Sequence, residues 1–494
     1  MKKISKRKSD PALVWEYLLA SPQRSRGSLA TQLATSLIDA IHSKQIPEGV
    51  RLPSSRAIAD SLNVGRNTAI TAINSLIDQG YLVSRSRSGV FVATGIRSDQ
   101  AETRPRDQEI GFDWDTRLGL TASNDDERTD AVEPKITHNF IYGQFDLSTF
   151  PINHWRQCER SASGLLEIAD WGRDMFDRDD AALIESLRRH ILPKHGIWAE
   201  PDEILITLGG QEGRYLVSQL LCRSGDVVGI EDPGLPDVHA MLAATPARQV
   251  SLPMDDCGVR LSAELKRCDV AFITPGHQCP TTAVMPLERR RALLAVARRR
   301  NLILVEDTYE TEVLSHRKMI PSLKSLDTEG RVIHIGSLSK SLAPGLRIGF
   351  VVASKRVIDE LRAIRRLIHR HPPGTIQRSL SMFIDRGYYH SCIRQISTMA
   401  ASRAKIMGQS LHQRLPGARI QHSEGAASFW VELPEGVDAR ELRANLRRDG
   451  VLVEAGNRFF TSEQPRGYLR LAVSQVSTDK IDAGVRKIAE AIHR

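Results

Sequence analysis

The chain has 494 residues, 41% of them hydrophobic, and a formal net charge of +9. This length exceeds one ordinary domain and predicts two or three, and no apolar run is long enough to span a bilayer. The basic N-terminus lacks the apolar segment of a signal peptide. The six cysteines are scattered without paired spacing. We therefore expect a cytoplasmic protein without a membrane segment, a disulfide framework or a metal site.

The charge is unevenly distributed along the chain. Residues 1–97 contain 14 Lys and Arg against 6 Asp and Glu, a net of +8, whereas residues 98–135 contain 5 against 11, a net of −6. This asymmetry favours a basic nucleic-acid-binding module at the N-terminus, although a merely soluble basic surface would have the same composition. We predict a basic nucleic-acid-binding domain over residues 1–97, an acidic linker over 98–135 and a third region over 136–494.

The N-terminal region has the pattern of short helices followed by a hairpin. Helical apolar spacing over residues 28–45 precedes a turn at 47–49 and a serine cap at 54–55. A short helix then ends at residues 63–65, and a second helix begins at about Arg66. Two short helices joined by a Gly-containing turn predict a helix-turn-helix. Residues 80–83 and 89–92 predict the two strands of a wing around the basic tip 84–88.

Residues 29–93 resemble the GntR-type winged helix-turn-helix. The resemblance is carried by residues 51–56 (RLPSSR), 64–68 (VGRNT), 80–82 (GYL) and 88–92 (SGVFV). It implies that the second helix enters the major groove of double-stranded DNA and that the wing approaches the minor groove. It assigns Arg56 and Arg66 to phosphate or base contacts, Asn67 and Thr68 to base edges, and Gly89 to close backbone approach at the wing. Each arginine taken alone is equally consistent with a solvated helix face.

From about residue 137 the sequence alternates between short apolar β-rich segments and helical ones. The predicted strands, including the turns that end three of them, are 203–207, 226–234, 269–275, 301–307, 331–335 and 347–352. Helices are predicted at 181–192, 214–221 and 287–299. This alternation is typical of an α/β domain with a mainly parallel sheet. Ligands bind outside the carboxyl ends of such strands, so polar residues at those ends are candidates for a site.

Residues 334–347 (HIGSLSKSLAPGLR) combine a strand end, a Gly/Ser turn, Lys340 and Arg347. A lysine amine condenses with an aldehyde only if it can lose its proton, which a partly desolvated site permits. Pyridoxal 5'-phosphate (PLP) requires such a lysine, a carboxylate at its ring nitrogen and a phosphate cradle. A surface lysine in a Ser-rich loop is the simpler interpretation of this segment alone. The PLP prediction therefore depends on the other parts being present.

The other parts lie at the ends of neighbouring predicted strands. Asp307 offers a carboxylate for the ring nitrogen, and the hydroxyl of Tyr309 and the amide of Gln278 can hydrogen-bond the ring oxygen. A Gly-rich turn that opens a helix presents backbone N–H groups to an anion, so the predicted phosphate ligands are Gly210, Gln211, Ser337, Ser339 and Arg347. A glycine turn without a ligand and a structural Asp-x-Tyr are the simpler interpretations of each motif alone.

Residues 137–480 resemble fold type I PLP enzymes of the aspartate aminotransferase class, and with the N-terminal module the chain resembles the MocR/GabR family of regulators. The resemblance is carried by residues 209–211 (GGQ), 231–234 (EDPG), 274–278 (TPGHQ), 306–309 (EDTY) and 336–340 (GSLSK).

The second resemblance has implications for the cofactor, the effector and the assembly. It implies that Lys340 carries PLP as an internal aldimine, that Asp307, with Glu306 as a weaker candidate, faces the ring nitrogen, and that Arg470 holds an effector carboxylate. It also implies a homodimer. The chain departs from the family at Leu235 and Cys279, where the family has aromatic side chains.

We therefore predict an α/β protein in which an N-terminal winged helix-turn-helix precedes a fold type I, aminotransferase-like PLP domain with a mainly parallel sheet. Its predicted function is PLP-dependent transcriptional regulation, with an amine or amino-acid effector sensed through an external aldimine at Lys340. The alternative is a catalytically active aminotransferase with an accessory DNA-binding module, which multiple turnover of an amino donor would favour. A DNA-binding protein with an inactive fold is disfavoured by the presence of Lys340, Asp307 and Arg347.

Overall fold

The structure is a computed structural model that describes residues 28–95, 135–143, 146–309, 320–461 and 467–493. The chain divides into two compact units, residues 1–122 and 123–494. The division falls within the predicted acidic linker, which lies outside the described residues except for Lys135.

The described part of the first unit contains three helices and a β-hairpin: α1 (Leu29–His42), α2 (Ser55–Leu62), α3 (Arg66–Asp78), β1 (Leu82–Arg85) and β2 (Gly89–Val92). Serine hydroxyls cap two of the helices, because Ser28 Oγ accepts from Thr31 N and Ser54 Oγ accepts from Ala57 N, both at 3.2 Å. The helix positions follow the predicted ones closely.

All five of these elements contribute to one apolar core, whose fully buried members include Leu37, Leu76 and Leu82. Asn63 ends α2 in the left-handed region, with φ +51°. The hairpin strands are antiparallel, with Arg85 opposite Gly89. The first strand begins at Leu82 instead of Gly80, because Gly80 adopts φ +80° in a turn. The predicted winged helix-turn-helix is confirmed.

The second unit is larger and mixed. Its helices are α4 (Ile152–Ala162), α5 (Leu165–Trp171), α6 (Ala181–Ser186), α7 (Gly209–Leu221), α8 (Pro236–Ala243), α9 (Leu287–Arg300), α10 (Leu323–Leu326), α11 (Ser339–Leu342), α12 (Lys355–Ile368), α13 (Gly374–Asp385), α14 (Tyr388–Arg414), α15 (Ala439–Arg448) and α16 (Ile481–Ile492). Its strands are β3 (His138–Asn139), β4 (Ile204–Thr207), β5 (Val227–Asp232), β6 (Arg248–Asp255), β7 (Gly258–Val259), β8 (Val270–Ile273), β9 (Ile303–Thr308), β10 (Val332–Ser337), β11 (Gly349–Val352), β12 (Arg419–Gln421), β13 (Ser428–Glu432), β14 (Val451–Leu452), β15 (Glu454–Ala455) and β16 (Tyr468–Ala472).

Among the described residues, eight strands form one sheet in the order β4-β11-β10-β9-β8-β5-β6-β7. The strands β6, β5, β8, β9 and β10 are parallel to one another. Strand β11 is antiparallel to both β10 and β4, because the connection over residues 338–348 is too short for a parallel crossover. The predicted α/β class with a mainly parallel sheet is confirmed.

Helices cover both faces of this sheet, which explains why its strands are largely apolar on both faces. Strands β4, β8 and β11 are buried at every position. Separate apolar clusters fill the space between the sheet and the helices on its two faces. The carboxyl ends of the parallel strands therefore meet at one edge of a rigid layer.

A second layer follows near the C-terminus. Strands β12, β13, β16 and β15 form a four-stranded antiparallel sheet, and β3 pairs in parallel with β14. This C-terminal layer has its own core, which includes Phe140, Phe429 and Leu471 together with residues of α14, α15 and α16. Phe140 thus places residues 138–141 in the C-terminal layer, although they precede the eight-stranded sheet in sequence.

Candidate functional site

Lys340 lies in α11, three residues after β10 ends at Ser337. Its Nζ lies 5.1 Å from the centre of the Tyr142 ring and 5.0 Å from that of Tyr309. Lys340 is exposed as a residue, while its amine lies beside these two aromatic rings. Burial lowers the pKa of Lys340, and the positive charge of Arg214 lowers it further. Such an amine loses its proton more readily than a surface lysine does, as condensation with an aldehyde requires.

Asp307 lies near the end of β9 and is 5% exposed. Its Oδ2 accepts a hydrogen bond from Arg214 Nη1 at 2.6 Å, and the Arg214 side chain is also nearly buried, at 6% exposure. In the part of the chain that the structure describes, the buried Asp307 Oδ1 has no hydrogen-bond partner. A buried carboxylate oxygen without a partner is costly, so the geometry fits an additional donor at this position.

Arg214 is a residue that the sequence analysis missed. It lies in α7, four residues after Gly210, and this spacing places both residues on the same face of the helix. The predicted helix began only at residue 214, whereas α7 begins at Gly209. A helix predicted to begin at Gly209 would have placed Arg214 one turn after the glycine turn. The sequence therefore contained a signal for this residue.

Glu306, the weaker candidate for the ring nitrogen, points to the opposite face of the sheet because successive strand residues alternate. Its carboxylate accepts from the backbone N–H of Leu323 at 2.8 Å and of Lys324 at 3.1 Å. The ring of His334 lies 3.0 Å away and Arg290 Nη1 lies 3.8 Å away. These contacts explain Glu306 as a structural residue that fixes the start of α10.

The predicted phosphate cradle lies where α7 begins. Gly209 has φ +76°, and a Cβ added there would lie 3.1 Å from Arg347 Nη2. A Cβ at Gly349 would lie 2.8 Å from Gly210 N, so glycine at this position lets β11 approach the start of the helix. Arg347 is exposed, and its Nη2 donates to Leu208 O at 2.8 Å. Backbone N–H groups and one guanidinium thus converge on an exposed site that suits an anion.

The remaining predicted phosphate ligands differ in their surroundings. Ser337 is 9% exposed and lies beside Gly210, since its Cβ is 3.6 Å from the position of a Cβ built on that glycine. Gln211 is exposed in the first turn of α7. The hydroxyl of Ser339 is engaged by the backbone of Ile348, at 2.5 Å from its N and 3.0 Å from its O. A phosphate contact from Ser339 stays a prediction and would compete with these bonds.

The two predicted ligands of the ring oxygen also differ. Tyr309 is 3% exposed and packs its ring against that of Tyr142, with centroids 5.8 Å apart. Gln278 is fully buried, and its Nε2 donates to Pro233 O at 2.8 Å and to Glu231 Oε2 at 3.2 Å. Its Oε1 accepts from the Thr281 hydroxyl at 2.6 Å. A bond from Gln278 to a cofactor stays a prediction, and it would have to replace one of these contacts.

Arg470, the predicted effector ligand, lies on β16 and is 4% exposed. Its guanidinium carbon lies 3.8 Å from the centre of the Tyr142 ring, and its Nη1 lies 3.9 Å from Glu454 Oε2. Within the described ranges, the buried Arg470 Nη2 has no hydrogen-bond partner. Tyr142, which the sequence analysis missed, therefore lies close to both Arg470 and Lys340. The arrangement suits a small molecule with an amine at one end and a carboxylate at the other.

These residues fit PLP. The partnerless Asp307 Oδ1 can accept from a pyridinium N–H, the start of α7 with Arg347 can hold the phosphate, and Lys340 can bind the aldehyde carbon. When bound, PLP would supply an electrophilic aldehyde and an aromatic ring that withdraws electrons.

The first unit presents the predicted DNA contacts on its surface. Arg56, Arg66 and Asn67 are exposed, and Thr68 is half-buried in the first turn of α3. At the wing, Gly89 has φ +108°, and a Cβ there would lie 2.9 Å from Arg51 Nε. Arg51 is exposed and was not among the predicted DNA contacts.

Other exposed arginines extend the same charge along the wing. They are Arg85, whose guanidinium lies 4.7 Å from the centre of the Phe91 ring, and Arg87. The surface of the unit is therefore basic at both the recognition helix and the wing.

The described residues contain no group of three or more His, Cys, Asp or Glu side chains placed to hold a metal ion. In the same ranges, no helix combines the length and the apolar character needed to cross a bilayer.

Two family models match the chain, and their regions coincide with the two units. Residues 143–488 match the model of aminotransferase class I and II, and residues 29–92 match that of bacterial regulatory proteins of the gntR family. The crystal structure of Pyrococcus horikoshii kynurenine aminotransferase is similar, with a TM-score of 0.68 and 27% identity over 73% of this chain and 91% of that chain. The likeness lies in the fold of the second unit.

Full-length relatives have both regions on one chain. The chain is 38% identical over 470 residues to the HTH-type transcriptional regulator TauR of Rhodobacter capsulatus, which covers 94% of this chain and 97% of that protein. It is 29% identical over 466 residues to the probable rhizopine catabolism regulatory protein MocR of Rhizobium meliloti, with 93% of each covered. The chain therefore belongs to the MocR-type HTH transcriptional regulators, in which a gntR-family region precedes an aminotransferase class I and II domain.

Proposed function

We propose that this regulator binds double-stranded DNA through its first unit and binds PLP at Lys340 in its second unit. We further propose that an amine-bearing small molecule takes the place of the Lys340 amine on the aldehyde carbon of the cofactor. The PLP proposal is supported by the aminotransferase class I and II fold, which is PLP-dependent. We also propose a cytoplasmic location, because a transcriptional regulator acts where the DNA is. Binding of the effector changes DNA affinity only if the effector binds one arrangement of the protein more tightly than another.

The observation that carries this proposal is the partnerless oxygen of Asp307 in the same site as a lysine of lowered pKa. The pKa of Lys340 is lowered first by burial, whereas Asp307 acts in the opposite direction. A buried carboxylate with one oxygen left over supports a ligand that brings its own N–H group. The roles of Lys340 and Asp307 are therefore supported by a buried hydrogen-bond acceptor that the described protein groups do not satisfy.

Arg470 supports an effector that carries an anionic group. Its Nη2 is buried without a partner in the described part of the chain, and the nearest carboxylate contact, to Glu454, is 3.9 Å long. A guanidinium in this state gains two hydrogen bonds from a carboxylate. We propose an amino acid or a similar amine with an acidic group as the effector.

Covalent attachment of the cofactor can be tested with a matched pair of lysines. Burial lowers the pKa of both Lys340 and Lys324, but Lys324 lies beside Glu306 and away from the phosphate cradle. After borohydride reduction with PLP, we expect the cofactor on Lys340 in the wild type and in Lys324→Ala, and no attachment at this site in Lys340→Ala. Mass spectrometry of peptides gives the readout. Attachment at Lys324 alone would contradict the assignment.

DNA binding is tested by a footprint on the DNA upstream of the gene and of its neighbours, with and without PLP and at fixed salt. We expect a discrete protected site, and we expect Arg66→Ala to reduce the slope of log affinity against log salt by about one. Uniform non-specific binding in all conditions would instead favour the aminotransferase alternative.

We also propose a homodimer. The second unit exposes several large apolar side chains around α5 and the end of α12, where Leu165 is 85% exposed, Leu166 is 86% exposed and Leu367 is 87% exposed. The two segments are linked through Phe176, whose ring centre lies 4.7 Å from Arg366 Cζ. A monomer seldom leaves such a surface in water, which supports burial against a second copy. We expect Leu166→Asp to shift the mass measured by light scattering from dimer to monomer.

A further inference from the structure

We propose that Glu454 is a second ligand of the effector, and that the effector is a diamino acid. Its α-amino acid head binds Arg470 and Glu454, while its distal amine reacts at the cofactor. This inference rests on the proposed function, because it concerns the amine that takes the place of Lys340 and the carboxylate that binds Arg470. It adds a second charged contact at the Arg470 end of the same site.

The C-terminal antiparallel sheet places Glu454 beside Arg470. Glu454 on β15 and Trp430 on β13 each lie directly opposite Arg470 on β16 in the strand pairing. Side chains at opposite positions of neighbouring strands project from the same face of a sheet. This face lines the site, because Arg470 contacts the ring of Tyr142 and Trp430 packs in one apolar cluster with Tyr309. Glu454 therefore projects from the face that carries the effector arginine.

Both side chains keep hydrogen-bonding capacity that the described protein groups do not use. The side chain of Glu454 is 12% exposed and that of Arg470 is 4% exposed. Within the described ranges, Glu454 Oε2 and Arg470 Nη2 are buried atoms without a hydrogen-bond partner. Arg470 Nη1 lies 3.9 Å from Glu454 Oε2, and Arg458 Nη1 lies 3.9 Å from Glu454 Oε1. Both distances are too long for a hydrogen bond, so a ligand can still supply one donor and one acceptor here.

An α-amino acid head offers this donor and this acceptor on one carbon atom. Its carboxylate accepts from the guanidinium of Arg470, and its ammonium group donates to the carboxylate of Glu454. A ligand with a carboxylate alone would leave Glu454 Oε2 without a donor and would bring a second negative charge beside it. The α-ammonium group removes both costs, so the pair favours an amino acid head over a simple acid.

The amine that reacts at the cofactor is then a second amine on the same molecule. Lys340 Nζ lies 5.1 Å from the centre of the Tyr142 ring, and Arg470 Cζ lies 3.8 Å from the same point. The separation of the two atoms cannot exceed the sum of these distances, so a short chain of methylene groups spans it. In the exchange, the distal nitrogen forms a bond to the aldehyde carbon, the bond from that carbon to Lys340 Nζ breaks, and a proton passes from the incoming nitrogen to the lysine.

The first test measures affinity in matched pairs of amines. Full-length protein loaded with PLP is titrated with lysine, ornithine and diaminobutyrate, and with the three counterparts that lack only the α-amine, and the absorbance of the cofactor gives Kd. We expect the best diamino acid to bind about tenfold to a hundredfold more tightly than its counterpart, the effect of one charge-assisted hydrogen bond in a buried site. Equal affinities within every pair would overturn the inference.

The second test compares Glu454→Gln with Glu432→Gln. Glutamine keeps the size of the side chain and removes its charge. Glu432 is a matched control because it lies in the same sheet, on β13 opposite Tyr468. We expect most of the preference for the diamino acid to be lost in Glu454→Gln and to be kept in Glu432→Gln. An unchanged preference in folded Glu454→Gln would contradict the role of Glu454.

Borohydride reduction then locates the amine that reacts. Reduction of the loaded wild type in the presence of the diamino acid fixes the cofactor on one of its two nitrogen atoms, and fragmentation in the mass spectrometer distinguishes them. We expect the distal nitrogen. Attachment at the α-nitrogen would overturn the inference even if Glu454→Gln fails to fold, and it would leave the proposed function intact. If no amine displaces Lys340 from the cofactor, the proposed function is wrong instead.

Discussion

Asp307 and Glu306 are adjacent carboxylates on β9, yet they have opposite environments. Both are buried, at 5% and 0% exposure. Glu306 receives two backbone N–H groups, the ring of His334 and the charge of Arg290. Asp307 receives one guanidinium nitrogen and keeps one oxygen without a partner in the described part of the chain. Because side chains alternate along a strand, Glu306, whose carboxylate is fully hydrogen-bonded, lies on one face, and Asp307, which has an oxygen without a partner, lies on the other.

The difference shows how a structural carboxylate can be distinguished from a functional one when both are buried. Burial alone would raise the pKa of Glu306, but the hydrogen bond and charge of His334, together with Arg290, outweigh it and leave this pKa lowered. Glu306 is therefore a satisfied anion. Asp307 has one carboxylate oxygen without a hydrogen-bond partner in the described residues, and such an oxygen in a buried group indicates a ligand.

Glu306→Gln should have the largest effect on stability. Both carboxylate oxygens of Glu306 accept hydrogen bonds, so an amide must turn an N–H group toward at least one existing donor. We expect the free energy of unfolding to fall by about 3 to 5 kcal/mol, as when one partner of a buried charged network is removed. Urea unfolding measures this loss. A loss of stability no larger than that of Asp307→Asn would contradict the distinction between Glu306 as a structural carboxylate and Asp307 as a ligand-binding one.

Glu231 adds a third buried carboxyl to the comparison, on β5. Burial raises its pKa from 4.5 to about 7, with Asp307 acting in the same direction and bonds from Thr274 and Gln278 opposing. The folded state therefore holds the proton more tightly than the unfolded state, and stability falls as pH rises from 4.5 to about 7, by as much as about 3 kcal/mol.

Unfolding by urea at about pH 5 and about pH 8 checks this dependence. We expect the difference in stability between the wild type and Glu231→Gln to change by up to the same amount between the two conditions. A constant difference would show that Glu231 titrates as an ordinary carboxyl and that only the β9 pair is unusual.

Asp307→Asn should have the smallest effect on the apoprotein. The amide oxygen can still accept from Arg214, and the amide nitrogen can occupy the place of the partnerless Oδ1 without displacing a bond. We expect a loss of about 2 kcal/mol, the difference made by one charge-assisted hydrogen bond. The same substitution should weaken PLP retention, measured by dialysis and absorbance. Unchanged retention would remove Asp307 from the proposed site.

Most of the fold could be predicted because the strands of the central sheet are continuous apolar runs that end in Gly or polar residues. Lys340 and Asp307 were recognised for the same reason, since both follow such strands. The direction of β11 was not predicted, although the short connection between the predicted strands 331–335 and 347–352 already excludes a parallel crossover.

The role of Tyr142 could not be predicted from local sequence, because it comes from contact with Lys340, which is distant in the chain. The contact of Arg214 with Asp307 also joins distant residues, although the place of Arg214 one turn after Gly210 could be read from the sequence. Thr282 shows a different limit. This threonine adopts φ +64°, a backbone conformation that the residue type does not favour. Here the tertiary structure overrides the preference of the residue.

The parallel pairing of β3 with β14 has a mechanical consequence. Phe140 N donates to Leu452 O at 2.9 Å, and Ala472 N donates to Phe140 O at 2.7 Å, so residues 138–140 are anchored beside β16, the strand of Arg470. Lys340 belongs to the other layer, on the eight-stranded sheet. The stretch that follows residue 135 is therefore fixed to the layer that holds Arg470, and a molecule that contacts both Arg470 and Lys340 bridges the two layers.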